Sequence, residues 1–128
     1  VLMTRPRANK HNPGLLIALF LIATCLRLHA GDDLPRGAVW IDVRSPQEYA
    51  SGHLAGATLI PFDGIEAGVT RLELAKDTPI YLYCAVGGRA EVARQRLLKI
   101  DYRNVKNVGG LEDARRLRGD PENLAAGQ

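Results

Sequence analysis

The chain has 128 residues, a formal charge of +3 and a sequence pI near 9.1, which is room for one domain. The positive charge does not mark a nucleic-acid binder, because residues 1–30 hold four of the 17 Lys and Arg and none of the 14 Asp and Glu. The remaining 98 residues carry 13 basic against 14 acidic side chains, a net charge of −1, so the electrostatic footprint of a polyanion-binding surface is missing.

The basic N-terminal segment reads as an export signal. Arg5, Arg7 and Lys10 precede the uncharged apolar run Leu15–Leu26. That run is shorter than the ~20 residues a spanning helix needs and fits the ~7–15 of a signal-peptide core. Leu28-His29-Ala30 supplies a cleavage site after Ala30, and Pro6 separates the two arginines, so there is no twin-arginine pair. Residues 1–30 are therefore expected to direct residues 31–128 to the periplasm. The alternatives are a retained membrane anchor facing the periplasm, lipidation at Cys25 after Ile22-Ala23-Thr24, or a buried core helix. Removal of the segment leaves Cys84 as the single thiol of the domain, with no partner for an internal disulfide. Such a thiol is either reactive or a small buried hydrophobe.

After a polar lead-in over residues 31–37, Ala38–Val43 is an apolar run of strand length with Asp42 and Arg44 at its end. Ser45-Pro46-Gln47-Glu48 carries the marks of a helix start: a capping hydroxyl, proline at the first helical position and an acid three residues on. That helix is expected to end at Gly52. Ala57–Ile60 reads as a short strand stopped by Pro61. Residues 62–76 read as one broken helix or two short ones, with Phe62, Ile65, Val69, Leu72 and Leu74 at roughly helical spacing around Gly64 and Gly68. Thr78-Pro79 breaks the chain before the strand Ile80–Tyr83, which delivers Cys84. From Arg89 to Ile100 the pattern is that of an amphipathic helix, with Ala90, Val92, Ala93, Leu97 and Ile100 on the inner side. Val105–Val108 reads as a last strand, Gly109-Gly110 as a turn and Leu111–Leu117 as a small helix. Strands alternating with helices predict an α/β fold, a small parallel sheet with helices on both faces. Trp40, Val43, Tyr81 and Tyr83 are candidate core residues.

The chemistry concentrates in Ile80–Ala90, IYLYCAVGGRA. A strand runs into Cys84, then Ala85, Val86, Gly87 and Gly88, and Arg89 opens the helix. A tight loop leading into a helix N-terminus turns N–H groups toward an anion. A cysteine at its mouth is favoured as the thiolate. Four residues separate Cys84 from Arg89, one fewer than in the phosphate cradle of tyrosine phosphatases, so a phosphoryl group would be crowded where a sulfur atom fits. The three histidines and the one usable thiol lie far apart in sequence and give no metal site. No nucleotide- or flavin-binding motif is present.

In combination, WIDVRSPQEYASGHLAGATLIP, YLYCAVGGRA and VGGLEDA resemble the single-domain rhodaneses, sulfurtransferases, in particular the exported phage shock protein E type. The likeness covers residues 38–117. It implies a sheet of about four strands in the order 4-3-1-2, with the family's first edge strand missing or rudimentary. It implies catalysis by Cys84, which takes a sulfane sulfur from a small anionic donor such as thiosulfate and passes it, as a persulfide, to cyanide or a thiol. A protein acceptor is a further option. No cofactor and no nucleic-acid partner are implied, and a membrane only if the N-terminal segment is retained or lipidated. Ala85 to Arg89 would form the loop that holds the persulfide, with Arg89 either closing the loop or touching the donor. Asp42 and Arg44 would support the site by pairing with neighbouring loops. Glu48 is assigned to the capping box and His53 to a structural hydrogen bond. The alternatives in other classes are a persulfide carrier for one dedicated partner and a non-catalytic binding or sensing module; retention of Cys84 speaks against the latter.

Overall fold

The computed structural model describes residues Leu34–Asp120; the predicted export segment lies outside them. Four strands form one parallel sheet: β1 (Val39–Asp42), β2 (Thr58–Leu59), β3 (Ile80–Cys84) and β4 (Val105–Gly110), in the order β2-β1-β3-β4. Read from the other edge this is the predicted 4-3-1-2. The helices are α1 (Pro46–Ala50), α2 (Ile65–Arg71), α3 (Gly88–Lys99) and α4 (Leu111–Arg118). Among the described residues no helix is long and apolar enough to cross a membrane.

Strand alternation sorts the side chains onto the two faces. Ile41 and Val43 of the β1 segment and Ile80, Leu82 and Cys84 of β3 pack with Ile65 and Val69 of α2 and with Ala90, Ala93 and Leu97 of α3. Trp40, Tyr81 and Tyr83 pack on the opposite face with Leu54, Ala57 and Ala114 of α4. Both faces of β1 and β3 are thus covered, as a parallel sheet requires. Burying a Leu or Ile such as Leu82 or Ile41, each fully enclosed, contributes about 2 kcal/mol.

Local chemistry sets the ends of the elements. Ser45 caps α1 by accepting the Glu48 N–H at 3.2 Å, and the Glu48 carboxylate accepts the Ser45 N–H at 2.9 Å, closing the expected box. The broken segment after β2 resolves into a 3-10 turn, Phe62–Gly64, running into α2.

Two expectations are corrected. Val92 is 43% exposed, because the seam of α3 is drawn by Ala90, Ala93 and Leu97 at three- and four-residue steps, and Val92 falls off it. Gly109 and Gly110 are not a turn but finish β4. The ladder pairs Leu82 with Asn107 and then Cys84 with Gly110, so β4 carries one extra residue as a bulge beside the cysteine.

Candidate active site

Cys84 ends β3 at the carboxyl edge of the sheet, where β1 and β3 lie side by side and their chains leave in opposite directions. Ligands of open parallel sheets bind at this place. The thiol is enclosed, 1% exposed. The chain then turns through Ala85–Gly87 and enters α3, and the Gly87 N–H donates to Sγ at 2.9 Å. Burial pushes the thiol pKa up, but the N–H groups of Ala90, Val86, Gly87 and Arg89 outweigh it and hold the pKa below the ordinary thiol value. Val86, Gly87 and Arg89 of the expected loop take part in this cradle, and Ala90, one residue beyond it, joins them.

Two glycines make this loop possible. Gly87 has φ +102, a conformation costly for other residues, and a side chain there would meet Gly109 Cα at 3.3 Å. A Cβ on Gly110 would lie 2.4 Å from the Ala85 carbonyl oxygen, so the β4 bulge and the cysteine loop touch backbone to backbone.

Asn107 fastens the loop to the sheet. Its Nδ2 donates to the Gly87 carbonyl at 3.0 Å and to Glu91 Oε2 at 3.3 Å, while its Oδ1 accepts the Gly109 N–H at 3.0 Å. Sequence reading gave Asn107 no role. The only local cue was a polar amide inside the short apolar strand VKNVGG.

Arg89 is committed to one partner. Its Nη1 and Nη2 each donate to a Glu48 carboxylate oxygen at 2.8 Å, and its charge also faces Cys84. Glu48 thus serves both the α1 cap and the loop, and the hydrogen bonds from Arg89 hold its carboxyl well below the usual carboxylate range.

Asp42 and Arg44 end β1 beside β3 but engage each other rather than a neighbouring loop's carboxylate or cation. Arg44 Nη2 lies 2.7 Å from Asp42 Oδ2, and Nε donates to both carboxylate oxygens. Asp42 shares the face of Trp40, opposite to that of Cys84. One link to a loop remains, from Arg44 Nη2 to the Gly52 carbonyl at 2.7 Å. The Arg44 guanidinium stands 5.6 Å from the Tyr83 ring, and Tyr83 Oη accepts the Leu54 N–H at 3.0 Å. The pair supports the site at one remove, through the strand ends and Tyr83. His53 stacks on Tyr49 with ring centroids 3.6 Å apart, and its Nδ1 donates to the Tyr49 carbonyl at 2.9 Å. Among the described residues no group of three or more His, Cys, Asp or Glu side chains is placed to hold a metal ion.

Fold and loop together define a class: an α/β domain that presents one enclosed cysteine, under backbone N–H groups, at the carboxyl edge of a parallel sheet. The sequence matches the Rhodanese-like domain family over residues 26–116, and the chain belongs to that family of sulfurtransferases. It is 34% identical over 74 residues to the thiosulfate sulfurtransferase PspE of Escherichia coli, covering 58% of this chain and 71% of that protein. It is 32% identical over 74 residues to the thiosulfate sulfurtransferase GlpE of Pseudomonas entomophila, covering 58% of this chain and 66% of that one. About a third of each relative thus lies outside the match. An Escherichia coli rhodanese solved with anions superposes with a TM-score of 0.57 at 33% identity, over 59% of this chain and 89% of that chain.

Proposed function

We propose that this chain is a thiosulfate:acceptor sulfurtransferase working through a persulfide on Cys84. The observation that carries the reading is the Gly87 N–H on Cys84 Sγ at the foot of a helix N-terminus, an arrangement that stabilises a sulfur anion. In the first half-reaction the Cys84 thiolate attacks the outer sulfur of thiosulfate. The Sγ–S bond forms, the S–S bond of thiosulfate breaks, and sulfite leaves with the bonding pair. In the second, cyanide or a thiolate takes the outer sulfur and Cys84 is released as the thiolate. Charge balances in both steps and no cofactor enters. The cycle is of the ping-pong kind. The N-terminal charge and apolar run favour an exported protein; N-terminal sequencing of the mature chain tests this.

The decisive assay is sulfite release from thiosulfate in the presence and absence of cyanide. The reading expects one equivalent of sulfite without cyanide, continuous release with it, and neither in Cys84→Ser. Turnover that survives Cys84→Ser would refute it.

A further inference from the structure

A cleft of about 340 Å³ opens between the start of α1 and the turn after β2, with Arg89 from the end of the Cys84 loop in its wall. Pro46, Pro61 and Phe62 give it apolar walls, and Asp63 and Arg89 stand on its rim. Arg89 connects the two places, because its side chain faces both Glu48 and Cys84. The cavity has the size of a small organic ligand's site.

The charges around it are nearly all committed. Arg89 is held by Glu48 and Arg44 by Asp42, each through short hydrogen bonds. Arg96 donates to the Asp63 carbonyl at 3.2 Å and lies 3.8 Å from Glu66. The Asp63 carboxylate has no cationic partner among the described residues. Of the three charged residues that line the cleft, Arg44 and Arg89 are each neutralised by a paired carboxylate, and Asp63 is the one whose charge is left without an ion-pair partner. The loop adds no charge of its own, since Ala85 is exposed and Val86, 90% exposed, is its outermost side chain. The Gly87 N–H is occupied by the sulfur itself.

We infer that this cleft seats the body of a small organic thiol carrying no negative charge, and that this thiol is the sulfur acceptor. The inference rests on the persulfide reading above. The acceptor thiol's sulfur attacks the outer sulfur of the Cys84–S–S⁻ persulfide, its proton passes to that outer sulfur, and a new S–S bond forms to the acceptor. The Sγ–S bond breaks, its electron pair stays on Sγ as the thiolate, and the proton leaves with the acceptor persulfide. The sulfur is transferred without net oxidation. An anionic thiol meets the unpaired Asp63 carboxylate, whereas an apolar one meets Pro46, Pro61 and Phe62 and a cationic one is drawn to Asp63.

The test loads Cys84 with sulfur, verifies the adduct by mass, and follows its discharge at about 20 mM salt, where surface charges are little screened. The acceptors are cysteamine, 2-mercaptoethanol and 3-mercaptopropionate, similar in size and cationic, neutral and anionic, with rates compared per thiolate. Each unit of charge is expected to change the rate about threefold, in the order cation, neutral, anion. Asp63→Lys, at an exposed position, is expected to reverse that order. Benzyl mercaptan, neutral and apolar, is expected to show the lowest KM. Equal rates for the three charges, an order unchanged in Asp63→Lys, or a benzyl mercaptan KM no lower than that of 3-mercaptopropionate would overturn the inference alone. A Cys84 that no sulfane donor can load would overturn the sulfurtransferase reading and this one with it.

Discussion

Arg89 and Glu48, 41 residues apart in sequence, meet end-on: two guanidinium nitrogens each lie 2.8 Å from one carboxylate oxygen. The carboxylate also accepts the Ser45 N–H, so one acidic group ties the first turn of α1 to the first turn of α3 across the mouth of the cysteine loop. Both side chains are about one-third exposed, so water screens the pair and its direct contribution to stability is at most about 1 kcal/mol. Its larger effect is on geometry and on the charge near the sulfur.

Glu48→Ala removes both the pair and the reciprocal cap. It is expected to cost about 1–2 kcal/mol in denaturant unfolding, most of it from the cap. Glu48→Gln retains an acceptor for the Ser45 N–H and leaves Arg89 uncompensated. It is expected to cost less than Glu48→Ala and to lower the KM for thiosulfate, a dianion that then meets a free guanidinium. The pair also sets a pH dependence. Because the folded Glu48 carboxyl titrates below its unfolded value, its stabilisation is full above about pH 4.3 and is lost as pH falls through the lowered folded value. The stability difference between the wild type and Glu48→Gln is therefore expected to be constant from pH 5 to 8 and to shrink only below about pH 4.

Asp42 and Arg44 are a buried pair, with side chains 0% and 9% exposed. Asp42→Ala strands a guanidinium in the fold and is expected to cost about 3–5 kcal/mol. The double variant Asp42→Ala/Arg44→Met is expected to recover much of that loss, since no lone charge remains. Thermal unfolding of the three proteins measures the coupling. Equal losses in single and double variants would deny it.

The close approach of β4 to the loop gives a sharper test. Gly110→Ala places a Cβ 2.4 Å from the Ala85 carbonyl, backbone that cannot move without displacing the loop. A cost of about 1–3 kcal/mol is expected, together with a loss of Cys84 reactivity larger than that stability change alone would produce. Gly88→Ala, where a Cβ meets nothing within 4 Å, serves as the comparison and is expected to fold normally.

The Cys84 thiol is held below the ordinary thiol pKa by backbone N–H groups acting against burial. The pH profile of its alkylation is therefore expected to have a midpoint below that of a free cysteine measured alongside it. Asn107→Ala releases the Gly87 carbonyl and is expected to move that midpoint upward, an effect that loss of packing without loop movement would not produce. An unchanged midpoint would remove Asn107 from the positioning of the loop.

Much of this was legible in the sequence for physical reasons. Ser45, Pro46 and Glu48 specify a helix start through contacts three residues apart, and the alternation of short apolar runs with an amphipathic segment specifies a parallel sheet. Cys84, with its small-residue loop and following helix, announced anion chemistry by local spacing alone. What was not legible depends on the third dimension. The β4 bulge turned Gly109-Gly110 from an apparent turn into the end of a strand. Arg89 had two roles open to it until the fold brought Glu48 within reach. Strand alternation put Asp42 on the face opposite Cys84, although the strand order makes β1 and β3 neighbours. Asn107 carries no motif, since its three hydrogen bonds are all made to chain brought near by the sheet.

The central claim is that Cys84 accepts and releases a single sulfur atom. Intact mass spectrometry of the purified domain after thiosulfate treatment tests it most directly. The expected result is a gain of about 32 Da located on Cys84, removed by cyanide and absent in Cys84→Ser. An unmodified Cys84 after exposure to thiosulfate and to other sulfane donors would contradict it.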